Sequence, residues 1–180
     1  MEKGENFMLQ DFNLLISTRR GEEKDACSEV WYLLREVGDP EALVDPTPIR
    51  GLIVAKTKLN PFETVEKLRK LLNERPEEFR YVLKIIPIQK VVKTSLDEIR
   101  QVAKEFSSLI GLDEKFRVSV EKRHSEMDRM EIVKVAAEEI DRKVDLKNPD
   151  KILLIEVLGN LTGISVIRET DILSVVKEKR

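Results

Sequence analysis

The chain has 180 residues, a formal net charge of −2, a charged fraction of 37% and one cysteine. This length allows one large domain or two small ones, and the single cysteine, Cys27, excludes an internal disulfide. No apolar run approaches the ~18 residues of a membrane span and no signal-peptide pattern opens the chain, so we expect a cytoplasmic protein without a membrane partner.

The charged residues are unevenly distributed. Residues 22–41, largely a predicted helix, hold seven acidic and two basic residues, whereas residues 49–62 and 83–94 hold three basic residues each and no acidic one. A negative net charge argues against an RNA-binding domain, but this distribution still allows one positive face. For any single cluster, an ordinary solvated surface is the favoured interpretation. Abundant Lys, Arg and Glu with only six Asn and three Gln are typical of heat-adapted proteins, and we expect a thermophilic, archaeal source.

The first 90 residues alternate between strand and helix. Strands are predicted at 12–17, 42–44, 49–57 and 81–86. A first helix has apolar residues at helical spacing from Ala26 to Val37 and ends at Gly38. A second helix begins at Asn60-Pro61, with asparagine as the cap and proline at the first helical position. The order βαββαβ is that of a ferredoxin-like fold.

A second set of elements follows Thr94. Ser95 and Glu98 form a capping box for a helix that ends at Gly111, and the Ser125 to Asp128 segment is expected to cap the next helix. Further strands are predicted at 116–120, 152–157 and 163–167, with a short helix at 171–177. The boundary falls between Pro87 and Thr94, so we expect one domain at residues 1–90 and another at 91–180.

A turn at Asn148-Pro149-Asp150 precedes the strand at 152–157. Proline fixes its own φ and keeps the residue before it extended, which leaves Asp150 able to accept hydrogen bonds from backbone N–H groups. The alternation in Val144-Asp145-Leu146 predicts that Asp145 points away from the core. The nearly continuous apolar run at 152–157 predicts a central strand that is covered on both faces.

Taken in order, these features resemble the THUMP domain. The matching pattern, over about residues 95–170, is a basic strand, a helix, the run Val144 to Asp150, an apolar strand and a Gly-Ile-Ser-Val strand. The stretch from Tyr81 to Ile88 also resembles the segment before THUMP in the adaptor proteins that assist tRNA cytidine acetylation. Those adaptors are non-catalytic. The resemblance implies an α+β protein with an N-terminal ferredoxin-like half, βαββαβ, followed by a THUMP α/β domain.

The resemblance also implies a function, because THUMP domains recognise the acceptor stem and 3′ end of tRNA. The implied partners are therefore tRNA and a separate RNA cytidine acetyltransferase that forms 4-acetylcytidine. Lys and Arg bind RNA by neutralising phosphates and releasing counterions. Carried over by position, the residues expected to bind RNA are Arg117, Lys122, Arg123, His124 and Lys147, and we also expect Lys84 and Lys90 to bind RNA. Lys122 and Arg123 could instead be a solvated strand end, and His124 an ordinary surface residue.

Signatures of catalysis are missing from the sequence. It has no Gly-x-Gly-x-x-Gly after a strand, no phosphate-binding P-loop and no Ser-Gly-Gly pyrophosphatase loop, and we expect no room in its length for a catalytic domain. One histidine and one cysteine without a carboxylate cluster predict no metal site, and we expect no cofactor. The sequence therefore predicts a binding protein that is not an enzyme. The alternative is a small-ligand-sensing or protein-interaction module, because a ferredoxin-like fold does not by itself specify a role.

Overall fold

The computed structural model describes residues 9–179, which separate into two compact units. The first unit contains the described residues up to Ile88 together with those from Asp171 onward, and the second unit is Gln89–Thr170. The expected assignment of residues 91–180 to one domain therefore needs a correction, because residues 171–179 pair and pack with the first unit. The outer ends of the two expected domains, residues 1–8 and 180, lie outside the described residues.

The described residues form ten strands and five α-helices. In chain order they are β1 (Leu14–Ser17), α1 (Glu23–Glu36), β2 (Leu43–Pro46), β3 (Leu52–Lys56), α2 (Pro61–Glu74), β4 (Lys84–Pro87), β5 (Lys90–Lys93), α3 (Leu96–Phe106), β6 (Lys115–Arg123), α4 (Arg129–Ala137), β7 (Lys143–Val144), β8 (Lys151–Leu158), β9 (Leu161–Ile167), β10 (Leu173–Ser174) and α5 (Val175–Glu178). Within the described range, no helix has the length and apolar character needed to cross a membrane.

The first unit is a five-stranded sheet in the order β10-β4-β1-β3-β2, in which every neighbouring pair is antiparallel. Apolar side chains of α1, α2 and the strands form its core. The predicted cap of α2 is present: the side chain of Asn60 accepts hydrogen bonds from the N–H groups of Phe62 (2.9 Å) and Glu63 (3.0 Å). The strand β10 adds an edge to the sheet beside β4 and brings Leu173 into the core.

Most acidic residues of the segment 22–41 are engaged inside the first unit. Glu29 accepts hydrogen bonds from three consecutive backbone N–H groups of residues 80–82, each at 2.9 Å. Asp39 is buried and accepts from the Thr57 hydroxyl at 2.6 Å and from two backbone N–H groups. Burial alone would raise the pKa of Asp39, but these hydrogen bonds outweigh it, and the pKa lies below its usual value. The acidic side chains of this segment therefore stabilise the fold of the first unit.

The second unit is a mixed sheet in the order β5-β9-β8-β6-β7. The strand β6 runs parallel to β8 and β7, and the remaining pairs are antiparallel. Side chains of α3, α4 and the strands form its core. The prediction of a central apolar strand is confirmed, because β8 lies between β9 and β6 and its residues from 152 to 158 are all buried. The connection predicted after Pro87 is in fact the edge strand β5.

The two helices of the second unit differ in how well the sequence predicted them. Ser95 caps α3 as expected, accepting a hydrogen bond from the Glu98 N–H at 3.0 Å. The cap of α4 is Asp128, whose side chain accepts from the Glu131 N–H at 3.0 Å, so the helix begins one turn later than Ser125 would place it. Met130 is consequently 66% exposed and not in the core.

Candidate nucleic-acid interface

The segment from residue 145 to 150 is fastened to the start of β6. The Asp145 side chain accepts hydrogen bonds from the N–H groups of Lys147 (3.1 Å) and Asn148 (3.0 Å). The Asp150 side chain accepts from the Lys115 N–H at 2.8 Å, as its position after proline predicted, and the Asp150 N–H donates to the Lys115 carbonyl at 2.8 Å. These acids hold the backbone in place, and the turn therefore presents its neighbouring side chains from a defined position.

Four basic residues meet at this end of the sheet. Lys115 of β6 and Lys143 of β7 are directly opposite each other in the parallel pair. The guanidinium of Arg117 donates to the Leu146 carbonyl at 3.0 Å, and Lys147 lies in the same turn. Within residues 9–179, none of these four side chains forms an ion pair with a carboxylate. We call Lys115, Arg117, Lys143 and Lys147 the cationic end of the second unit.

The electrostatics of the cationic end favour an anionic ligand. Like charges placed directly opposite each other in a sheet are unfavourable, so the Lys115–Lys143 pairing costs stability unless a negative group offsets it. Asp145 offsets part of it: hydrogen bonds from the N–H groups of Asn148 and Lys147, and then the charges of the two lysines, lower the pKa of its carboxyl. Asp145 and Asp150 supply two carboxylates against these four cations, and the local charge therefore remains positive.

Exposed apolar side chains flank the cationic end. Val144 and Leu146 are 54% and 70% exposed, and Leu112, in the loop before β6, is 85% exposed. The alternation of Val144, Asp145 and Leu146 predicted that Asp145 points away from the core, and Asp145 lies outside the core cluster. Val144 and Leu146 are also outside it, because β7 is a two-residue strand at the edge of the sheet. The surface thus offers apolar area next to positive charge.

Six of the seven residues expected to bind RNA lie in the second unit, and the structure brings two of these six together at its cationic end, Arg117 and Lys147. Lys122 lies five residues beyond Arg117 on β6, about 17 Å further along and on the opposite face of the strand. Its ammonium group donates to the Ser125 carbonyl at 3.3 Å. His124 follows the strand in a left-handed conformation, with φ of 56°, where the chain turns away from β6. These two residues form a separate surface at the far end of the sheet.

Arg123 forms an ion pair within the second unit. Its guanidinium lies 2.5 Å from the carboxylate of Glu156, which is buried with 2% of its side chain exposed. A buried carboxylate is stable in its charged form only with such a partner, so Arg123 serves as a structural counterion, and its contact with RNA stays a prediction.

The two remaining expected residues are Lys90 and Lys84. Lys90 forms an ion pair with Glu105 at 2.9 Å and belongs to β5, at the opposite edge of the sheet from β7. Lys84 is exposed on β4 of the first unit, paired with Ser17. Within the second unit, the strands β9 and β8 therefore separate Lys90 from the β6–β7 edge, while Lys84 belongs to the first unit.

Sequence reasoning missed Lys115 and Lys143. Each flanks a recognised segment, the strand at 116–120 and the run that begins at Val144. Their proximity depends on the parallel pairing of β6 with β7, a register that no local pattern encodes.

The described residues contain neither a candidate metal site nor a reactive cysteine. No group of three or more His, Cys, Asp or Glu side chains between residues 9 and 179 could hold a metal ion. Burial, followed by the charges of Asp45 and Glu23, raises the pKa of the Cys27 thiol to about 11, which keeps the sulfur protonated near neutral pH. Cys27 is therefore a packed thiol and not a nucleophile.

Comparison with a protein-family model identifies a THUMP domain at residues 93–167, inside the second unit. An uncharacterised protein of Methanocaldococcus jannaschii is 26% identical over 171 residues, a match that covers 92% of this chain and 44% of that protein. The expectation of a THUMP domain is thus confirmed.

Solved structures share the fold at low sequence identity. PH1313 from Pyrococcus horikoshii has a TM-score of 0.60 at 21% identity and is matched over 87% of this chain and 55% of its own. TrmN from Thermus thermophilus has a TM-score of 0.55 at 15% identity, over 85% of this chain and 44% of its own. A 4-thiouridine synthetase in complex with RNA and ATP has a TM-score of 0.52 at 18% identity, over 87% of this chain and 41% of its own. The chain thus spans between 41% and 55% of the lengths of these four proteins.

Proposed function

We propose that this protein is a non-catalytic tRNA-binding adaptor that holds tRNA at the cationic end of its THUMP domain and presents it to a separate modifying enzyme. The observation that carries the proposal is the convergence of Lys115, Arg117, Lys143 and Lys147 at one end of the sheet, without an ion pair to a carboxylate in the described chain. The fold shared with a 4-thiouridine synthetase bound to RNA supports the choice of ligand.

The chemistry of the cationic end suits RNA. Its lysines and arginine can neutralise consecutive phosphates and release their counterions, which supplies sequence-independent affinity. The exposed Val144 and Leu146 offer contact area for bases that are not stacked in a helix, as at a single-stranded end. The Asp145 and Asp150 hydrogen bonds fix the turn before RNA arrives, so less ordering entropy is lost on binding.

Titration of tRNA at several salt concentrations tests the cationic end. We expect Lys115→Gln/Lys143→Gln to lower affinity and to reduce the slope of log K against log salt by about 1.4 to 1.8, since each lost phosphate contact removes roughly 0.7 to 0.9. The matched control is Lys104→Gln/Lys134→Gln, which removes the same charge from exposed positions on α3 and α4. Equal slopes for the two double variants would contradict the assignment of the site.

We also propose that the first unit has a ferredoxin-like fold and no enzymatic activity. Its chain order βαββαβ and the sheet order β4-β1-β3-β2, extended by β10, support the first part. The resemblance of the stretch from Tyr81 to Ile88, and of the run from Val144 to Asp150, to the adaptors of tRNA cytidine acetylation supports an RNA cytidine acetyltransferase as the partner enzyme.

Deletion of the gene in the source organism, followed by mass-spectrometric inventory of tRNA nucleosides, tests the partner. We expect 4-acetylcytidine to disappear while other modified nucleosides stay at their normal levels. Loss of a different modification would contradict the acetyltransferase and leave tRNA binding intact. Binding of a protein partner without any affinity for tRNA would instead favour the protein-interaction module.

A further inference from the structure

A second group of cations lies at one end of the first unit's sheet. Arg19 and Arg20 follow β1, Arg50 precedes β3, and Arg80 lies just before β4. The strands β3, β1 and β4 are neighbours in that order, so these four arginines project from three adjacent strand ends that together span about 10 Å. We call them the arginine cluster.

Backbone contacts hold the arginine cluster together. The Thr18 N–H donates to the Gly51 carbonyl at 2.9 Å, which places residues 19 and 20 beside Arg50. The Thr18 hydroxyl donates to the Tyr81 carbonyl at 2.7 Å, and the Arg19 guanidinium reaches the Arg80 carbonyl at 3.5 Å. The loops that carry the arginines are therefore bonded to one another.

The acidic residues near the arginine cluster are largely occupied. Glu23 accepts hydrogen bonds from the Gly51 N–H (2.7 Å) and the Gly21 N–H (3.0 Å), and these bonds, with the charge of Arg50, lower the pKa of its carboxyl. Glu29 accepts from the three N–H groups of residues 80–82. Glu22 forms an exposed ion pair with Arg19 at 3.3 Å. These three carboxylates position the loops and offset part of the charge of the four guanidinium groups, which still outnumber them.

Three members of the cluster keep their charges available. Among the residues that the structure describes, Arg20, Arg50 and Arg80 have no ion pair with a carboxylate. The stem of Arg20 lies against Gly51, and the Arg80 guanidinium lies over the Tyr81 ring at 5.7 Å from its centre. A planar guanidinium donates two parallel hydrogen bonds to a phosphate, which makes arginine better suited than lysine to bind one in a fixed orientation.

We infer that the arginine cluster is a second phosphate-binding site, through which the first unit contacts the backbone of the same RNA ligand. This inference rests on the proposed function, because it takes tRNA as the ligand. Like charges collected on bonded loops cost folding free energy, and a polyanion offsets that cost. Lys84, expected from the sequence to bind RNA, begins β4 beside Ser17 and adds a cation at the same end of the sheet.

The test compares tRNA binding by the full chain and by Arg20→Gln/Arg50→Gln over 0.05 to 0.2 M salt. The loss of two phosphate contacts reduces the slope of log K against log salt by about 1.4 to 1.8. The ratio of wild-type affinity to variant affinity should therefore fall by roughly 7- to 12-fold between 0.05 and 0.2 M salt. The matched control, Lys67→Gln/Lys70→Gln, removes two exposed charges from α2 of the same unit and should leave the slope unchanged.

A charge-preserving variant separates binding from folding. Arg20→Lys/Arg50→Lys should retain the wild-type slope with a smaller loss of affinity, since charge is kept and paired donation is lost. If the glutamine variant binds as wild type does while Lys115→Gln/Lys143→Gln binds weakly, the arginine cluster is not a phosphate site and the proposed function stands. If the wild-type chain does not bind tRNA, the proposed function fails and this inference fails with it.

Discussion

Replacement of Arg123 distinguishes a structural arginine from an RNA ligand. In Arg123→Ala the buried carboxylate of Glu156 loses its partner at 2.5 Å. Breaking a fully buried ion pair costs about 3 to 5 kcal/mol. The Arg123 side chain is 27% exposed and Glu156 has a further interaction, so we expect a smaller cost of about 2 to 3 kcal/mol for this pair. For a domain of this size that corresponds to a fall in melting temperature of roughly 10 to 20 °C.

Thermal melting followed by circular dichroism measures the effect of Arg123→Ala. The control is Lys122→Ala, which removes an exposed hydrogen bond from the ammonium group to the Ser125 carbonyl at 3.3 Å and should change stability by less than about 0.5 kcal/mol. The double variant Arg123→Met/Glu156→Leu should recover most of the loss, because an apolar pair leaves no buried charge. An Arg123→Ala protein that melts like wild type but binds tRNA more weakly would refute this reasoning.

Three further outcomes are expected. Since its hydrogen bonds hold the pKa of Asp39 below its usual value, Asp39 contributes stability that is present above about pH 4 and is lost as the pH falls through its folded pKa. Asp39→Asn should lower the melting temperature at pH 7 and weaken its dependence on pH between 5 and 2, as acid titration of melting would show. Gly51→Ala should cost about 2 to 3 kcal/mol in chemical denaturation, because φ is +83° and its Cβ would meet the Thr18 carbonyl oxygen at 3.0 Å, whereas Gly21→Ala, at +90° in open space, should cost only about 1 to 2 kcal/mol. Labelling of Cys27 by iodoacetamide should accelerate about tenfold per pH unit up to its pKa of about 11, and a plateau near pH 9 would contradict the burial described.

Local patterns predicted the elements that depend on local interactions. The caps of α2 and α3 and the central position of β8 followed from the Asn60-Pro61 pair, from Ser95 and from the apolar run at 152–157. The edge strand β5 was missed because four residues with lysine at each end resemble a connection, and its strand character comes from pairing with β9. Tertiary pairing also determines which unit contains β10, since this strand joins a sheet whose other strands lie more than 80 residues earlier.

The candidate site was predictable only in part for the same reason. Arg117 and Lys147 were found because each lies in or beside a recognisable segment. Lys115 and Lys143 required the parallel register of β6 and β7, and the role of Arg123 required a partner 33 residues away. Sequence can indicate which residues carry charge, whereas the tertiary fold decides which of those charges are neutralised.

The division of the first unit between two stretches of chain has a consequence for biosynthesis. Leu173 and Val175, both buried in its core, leave the ribosome only after the whole THUMP domain has been translated. Until then the nascent first unit has an unpaired β4 edge and an incomplete interior, and is open to misassociation. The sheet of the THUMP domain can thus be fully translated while the first unit still lacks its last strand, β10.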